Sequence, residues 1–237
     1  MMWLMMLLLA TATTQADKPL ETGFLNRTYA GDNVTMPYVV YVPRDYTPTN
    51  RYPIILFLHG AGERGSDGLR QTQVGIGSAI RSYPERFPCI VVMPQCPADK
   101  WWNGEVLEAA YRCLQQTMKE FSCDPRRVYL TGLSMGGFGS WELAARYPHT
   151  FAAVVPICGR GNPADAEKLK NVPIWVFHGD ADNVVPPSFS REMVEALKKA
   201  GSTMVKYTEL PGIGHNSWDP AYSSAQVIQW LLEQKKE

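Results

Sequence analysis

Val128-Tyr129-Leu130-Thr131-Gly132-Leu133-Ser134-Met135-Gly136 is the stretch on which the fold of this chain turns. An apolar run leads into it and a helix-patterned segment leaves it, which places Ser134 on a strand-to-helix elbow as a candidate nucleophile. Gly132 and Gly136 leave room for the sharp turn, which forces the serine into a strained backbone conformation and lifts its hydroxyl above the sheet. The Gly-x-Ser-x-Gly pattern alone is weak, because a chain of this length has roughly a one-in-ten chance of containing it. The remainder of the chain must therefore carry the reading.

A chain of 237 residues can bury one substantial core. No polar linker or low-complexity stretch marks a second domain, so residues 17–237 read as one catalytic domain. The 23 Lys+Arg balance the 23 Asp+Glu, and no basic stripe is interleaved with aromatics; nucleic acid is not an expected partner. The first sixteen residues carry no charged side chain, and the apolar run Met1 to Ala10 precedes the small-residue segment Ala12-Thr13-Thr14-Gln15-Ala16. This reads as a secretory signal peptide, residues 1–16, cleaved after Ala16, although no Lys or Arg precedes the apolar run. That run is short for a bilayer span, and nothing later approaches one. A secreted or periplasmic chain would hold its five cysteines, Cys89, Cys96, Cys113, Cys123 and Cys158, where pairing is allowed, with at least one left over. No cysteine sits near a histidine at zinc-ligand spacing, and neither a metal nor a cofactor is expected.

Strand-like apolar runs recur at Tyr38 to Val42, Ile54 to Leu58, Cys89 to Met93, Val128 to Leu130, Ala153 to Ile157, Ile174 to Phe177 and Met204 to Tyr207. Several are continuous rather than alternating, as in strands covered on both faces, which predicts an α/β fold with a mostly parallel sheet. Between them, Val106, Leu107, Ala110, Tyr111, Leu114, Met118 and Phe121 form one helical stripe. Met193, Ala196, Leu197 and Ala200 form another, stopped by Gly201. The last helix is expected to begin at Asp219-Pro220 and to carry Val227, Ile228, Leu231 and Leu232.

Besides a nucleophile, acyl transfer needs a base, an acid to orient it, and backbone donors for the oxyanion. Of four histidines, His149 follows a helix end and reads as surface. His59 and His178 each precede a glycine at a strand end, where an imidazole hydrogen-bonds the turn. His215, in Gly212-Ile213-Gly214-His215-Asn216-Ser217-Trp218 between the last strand and the last helix, is the candidate base. Asp180 and Asp182 both follow the strand ending at Gly179; Asp180 is close enough to cap the turn, and Asp182 is favoured as the acid. The oxyanion donors are expected to be the N–H of Met135 and one from Leu58-His59-Gly60-Ala61-Gly62-Glu63-Arg64-Gly65, with Ala61 preferred over Gly62.

His59-Gly60-Ala61-Gly62-Glu63-Arg64-Gly65, Pro94-Gln95-Cys96-Pro97, Gly132 to Gly137, Pro156-Ile157-Cys158-Gly159, His178-Gly179-Asp180-Ala181-Asp182 and His215-Asn216-Ser217-Trp218 together resemble the α/β-hydrolase superfamily. More narrowly, the chain is similar to secreted bacterial esterases of the phospholipase/carboxylesterase, polyhydroxybutyrate-depolymerase-like and prolyl-oligopeptidase-like groups, from about Tyr38 to the C-terminus. The resemblance implies an α/β-hydrolase fold, a doubly wound sheet flanked by helices. It also implies a Ser134, Asp182, His215 triad with Ala61 and Met135 as oxyanion donors.

Residues 158–173 leave no room for a helical lid domain, so an open cleft is expected. Trp101, Trp102 and Trp218 sit in loops, where rings can form a platform for a sugar or aromatic acyl group or simply pack in the core. Glu63 and Arg64 beside the oxyanion loop can contact a polar substrate, pair with each other or brace the loop. The expected partner is a small-molecule or polymer-borne ester. A prolyl-oligopeptidase-type peptidase and a catalytically inactive binding fold are the competing readings.

Overall fold

The continuous apolar runs are explained by what lies on either side of them. In the computed structural model, which describes residues 20–237, one sheet carries eight strands: β1 (Gly23–Ala30), β2 (Thr35–Val42), β3 (Tyr52–Leu58), β4 (Ile90–Pro94), β5 (Cys123–Leu133), β6 (Ala153–Ile157), β7 (Ile174–Gly179) and β8 (Val205–Leu210). The helices are α1 (Ile76–Ser82), α2 (Gly104–Glu120), α3 (Met135–Arg146), α4 (Ala166–Leu169), α5 (Ser188–Lys199), α6 (Trp218–Ser223) and α7 (Ala225–Glu233). Along each inner strand successive side chains point to opposite faces. Val40, Leu56, Leu130, Val154 and Val176 pack with Leu107 and Leu114 of α2, Trp141 of α3 and Met193 and Leu197 of α5. Val39, Ile55, Tyr129, Val155 and Phe177 pack with Ile76 and Ile80 of α1, Tyr222 of α6 and Ile228 and Leu231 of α7. Both faces are covered, so both sets of positions must be apolar.

The strand order is β1-β2-β4-β3-β5-β6-β7-β8. β1 pairs antiparallel with β2 and β2 with β4, and every later pairing is parallel, with registers such as Leu56↔Leu130 and Leu130↔Val154. The mostly parallel α/β sheet read from the sequence is what the chain forms. No large lid interrupts it: residues 158–173 hold only a 3-10 turn, Pro163–Asp165, and α4.

Three details differ from the sequence reading or fall outside it. β1 does not announce itself, because it is an edge strand in which Asn26, Thr28 and Ala30 alternate with half-buried neighbours, leaving no apolar run to detect. The expected final helix is two, α6 and α7, separated at Ser224, whose φ of −76° and ψ of 117° are extended. The signal-peptide reading of residues 1–16 lies outside the described residues; among those described, no helix is long and apolar enough to cross a membrane.

The parallel strands all present their C-terminal ends to the same edge. The segment from His59 follows β3, Gln95 and Cys96 follow β4, Ser134 follows β5, Cys158 follows β6, Asp182 follows β7 and His215 follows β8. In an open parallel sheet this edge is where ligands bind.

Candidate active site

Ser134 stands between β5 and α3 with φ 52° and ψ −118°, a conformation that L-residues rarely adopt. It is held there by close backbone contacts that only glycines permit. A Cβ on Gly136 would lie 1.9 Å from the Leu58 carbonyl oxygen, one on Gly132 would lie 2.3 Å from the Gly136 carbonyl oxygen, and one on Gly137 would lie 2.4 Å from that of Ile157. The Ser134 N–H donates to the Ile157 carbonyl at 3.0 Å, tying the elbow to β6. The glycines of the motif thus act by close approach, and the positive φ is borne by the serine itself.

The Ser134 hydroxyl lies 2.9 Å from His215 Nε2, and His215 Nδ1 lies 2.8 Å from Asp182 Oδ2. Asp182 is 5% exposed, and its other oxygen accepts the N–H groups of Val184 and Val185, both at 2.9 Å. Burial alone would raise this carboxyl; the bonds from His215, Val185 and Val184 outweigh it and hold Asp182 below the usual carboxylate range. A charged Asp182 accepts from Nδ1–H, which leaves Nε2 as the acceptor facing the serine hydroxyl. His178 Nε2 lies 3.2 Å from the same carboxylate oxygen and 2.9 Å from the Val185 carbonyl, while its Nδ1 meets the Ser190 hydroxyl at 2.7 Å. Burial lowers the His178 pKa even beside Asp182, and the neutral ring anchors the acid loop from beneath. Asp180 points elsewhere: its carboxylate accepts the Gly212 N–H at 2.7 Å and caps the turn before the His215 loop.

Ala61 opens a 3-10 turn, Ala61–Glu63, and Met135 opens α3. Neither N–H donates to any acceptor among the described residues. An ideal Cβ on Gly60 would lie 3.7 Å from Ser134 Cβ, so the two segments meet at the serine. Two unengaged donors at helix starts beside a hydroxyl form a suitable receptor for a developing negative charge.

Trp102 requires a correction. Its ring is 3% exposed, packs edge-on at 5.0 Å against His59 and donates its indole N–H to the His59 carbonyl at 2.9 Å. A ring so enclosed cannot form a substrate platform; it braces the segment that leads to Ala61. Trp218 begins α6, half-buried, with its ring edge-on to His215 at 5.3 Å. Glu63 and Arg64 do not pair with each other. The Arg64 side chain donates to the Ala61 carbonyl at 2.9 Å, and the Glu63 carboxyl, its pKa raised by burial, faces the N–H groups of Gly60 and of Glu63 itself. His149 is exposed.

Cys158 is a neighbour of the site that the sequence reading did not single out. It has φ 39°, is fully buried, and its thiol lies with the ligand atoms of Asp182 and His215 in a cluster spanning no more than 4.8 Å, a set able to hold a metal ion. Burial pushes this thiol up to about 12, so it behaves as a small apolar group beside Asp182 and His215. Its only signal in sequence is its position, directly after β6 and next to Gly159. All five cysteines are unpaired thiols, four of them buried.

The Esterase family model, described as "Putative esterase", matches residues 32–202. The chain belongs to this esterase family. Feruloyl esterase D of Neurospora crassa is 24% identical over 206 residues, covering 82% of this chain and 71% of its own. A bifunctional acetylxylan esterase/xylanase of Neocallimastix patriciarum is 26% identical over 151 residues, which is 62% of this chain. Among solved structures, a thermostable esterase superposes with a TM-score of 0.84 at 37% identity over 90% of this chain. The chain spans 21% of the length of the acetylxylan esterase/xylanase and 63% of the thermostable esterase. The esterase family and the α/β-hydrolase fold therefore rest on both the matched segment and the superposition.

Proposed function

We propose that the chain is a serine esterase that hydrolyses carboxylic esters through an acyl-enzyme formed on Ser134. The observation that carries this reading is the chain of contacts from Ser134 through His215 to Asp182, at 2.9 and 2.8 Å, beside two free backbone donors. His215 Nε2 takes the hydroxyl proton as Ser134 attacks the ester carbonyl, and the N–H groups of Ala61 and Met135 receive the oxyanion. The imidazolium formed is stabilised by Asp182 and returns its proton to the leaving alcohol. Water then repeats the sequence and releases the acid.

The substrate side of the reading is an ester carried on a polymer or an aryl acid. The absence of a large lid leaves the edge of the sheet open, and Leu69, Trp101 and Val184 stand exposed on loops after β3, β4 and β7. Exposed apolar side chains on loops at this edge of the sheet suit an extended, partly apolar ester. The relatives named as acetylxylan and feruloyl esterases act on esters of that type by their names. Export is part of the proposal and rests on the apolar segment Met1 to Ala10.

The test is labelling with a fluorophosphonate probe, with turnover on p-nitrophenyl esters of increasing acyl length beside methyl ferulate and acetylated xylan. Ser134→Ala should abolish labelling and lower kcat by roughly three to six orders of magnitude while the chain stays folded. Near wild-type ester turnover in purified Ser134→Ala would overturn the proposal, as would turnover of proline-containing peptide amides alone.

A further inference from the structure

Pro94-Gln95-Cys96-Pro97 and the histidine of His59-Gly60 take no part in the reaction above, yet they enclose the loop that carries Ala61. His59 is fully buried. Its Nε2 accepts the Cys96 N–H at 2.9 Å, which leaves the proton on Nδ1, and Nδ1 lies 2.6 Å from the Gly60 carbonyl oxygen. The ring is therefore a neutral imidazole whose tautomer is set by a backbone donor from the segment just after the neighbouring strand.

This bond fixes more than the carbonyl. The Gly60–Ala61 peptide is trans and planar, so its N–H points opposite to its C=O. In the sheet order, β3 lies between β4 and β5. The Gly60 carbonyl is held by the ring that Cys96 engages from the β4 side, while on the β5 side an ideal Cβ on Gly60 would lie 3.7 Å from Ser134 Cβ. We propose that His59 is a positioning residue for the ester reaction: it clamps the Gly60–Ala61 peptide so that the Ala61 N–H faces the oxyanion forming at Ser134. The inference rests on the esterase reading of the preceding subsection.

The rest of the loop is held from the same side. Fully buried Gln95 donates from Nε2 to the Glu63 carbonyl at 3.1 Å and to Asp67 at 2.9 Å, and its Oε1 accepts the Gly68 N–H at 2.7 Å. The Gly65 N–H donates to the Cys96 carbonyl at 2.9 Å, and Trp102 holds the His59 carbonyl. The carbonyls of His59, Gly60, Ala61 and Glu63 are each engaged, and the Ala61 N–H is left free. The segment after β4 is thus a mould for the oxyanion loop, and His59 is the piece that touches the reacting donor's own peptide.

Two substitutions separate aim from stability, because each removes one of the two ring bonds. In His59→Asn the side-chain amide can replace Nδ1 as donor to Gly60, whereas in His59→Gln the longer amide replaces Nε2 as acceptor for Cys96. His59→Leu removes both. The measurements are kcat, KM and the inhibition constant of phenylboronic acid, an oxyanion-bearing adduct of the serine. His59→Leu should lose roughly 100-fold in kcat with KM within a few-fold, and boronate affinity should fall with it. His59→Asn should turn over about 10-fold faster than His59→Gln, and the shape of the wild-type pH–rate profile should persist in both. A folded His59→Leu with wild-type kcat would overturn the inference; if that variant does not fold, a Gln variant as fast as the Asn variant overturns it. Failure of the wild-type chain to react with fluorophosphonate would instead remove the esterase reading, and this inference with it.

Discussion

At the scale of the residue, two aspartates two positions apart, Asp180 and Asp182, are divided by the bonds they already make. Asp180 is engaged with the Gly212 N–H, a bond that an amide oxygen can also accept, while Asp182 gives one oxygen to two backbone donors and the other to His215. Asp182→Asn should lower kcat by roughly four orders of magnitude, because the amide presents a donor or a weaker acceptor to Nδ1 and upsets the tautomer. Asp180→Asn should stay within a few-fold of wild type. Steady-state turnover of p-nitrophenyl acetate by both variants decides the assignment: equal losses would mean that neither carboxylate orients the base. From sequence the two differ only by distance from the strand end, which favours Asp182; the hydrogen bonds that separate them depend on a loop more than thirty residues further along, between Gly212 and His215. Trp102 was illegible for a related reason: a tryptophan in a loop looks available until the His59 carbonyl that receives its N–H is in place.

At the scale of the element, the elbow is built from backbone touching backbone. Gly136→Ala puts a methyl 1.9 Å from the Leu58 carbonyl oxygen, contact that neither partner can relieve by rotating a side chain. It should cost roughly 3 kcal/mol or more and displace Ser134. Gly62→Ala, with nothing within 4 Å of the added carbon, should change the urea midpoint by the equivalent of about 0.5 kcal/mol or less. Equal midpoints for the two variants would contradict the packing. β2 to β7 were legible because burial on both faces demands apolar runs, a signal that survives without any knowledge of neighbours. β1 was not, since an edge strand with one open side uses Asn26, Arg27 and Thr28 freely. The break at Ser224 between α6 and α7 was hidden for the opposite reason: the apolar pattern continues across it, and only the extended backbone of one serine divides the two helices.

At the scale of the whole molecule, two neutral histidines lie buried beneath the active edge. Burial holds the His59 pKa down to about 4, and lowers that of His178 as well, whereas in the unfolded chain such a group titrates near 6.5. As pH falls, the unfolded chain takes up these protons first. The stability His59 contributes, roughly 3 kcal/mol at most, is complete above about 6.5 and is lost as pH falls toward about 4, and the contribution of His178 is lost in the same direction. Tm should therefore fall between pH 7 and pH 4.5, and His59→Asn should flatten that dependence even though it lowers Tm at pH 7. A slope unchanged by the substitution would show that other groups govern acid sensitivity. The continuous sheet and the meeting of Ser134, Asp182 and His215 at one edge of it were legible because they follow from chain order and apolar spacing. The mould around the oxyanion loop was not, since it depends on β4 lying beside β3, an adjacency that chain order alone does not specify.

Ser134 and His215 are 81 positions apart in the chain, and His215 and Asp182 are 33 apart, yet each pair meets within 2.9 Å. The base is delivered by β8, the outermost strand, which is paired on one side only. A chain in which β8 has come away keeps Ser134, Asp182 and most of its sheet, but has no His215 within reach of the serine. On the proposed mechanism, turnover is an all-or-none gauge of whether the last strand has docked. It will vanish at milder denaturant than the spectroscopic signal of the sheet whenever that edge frays first.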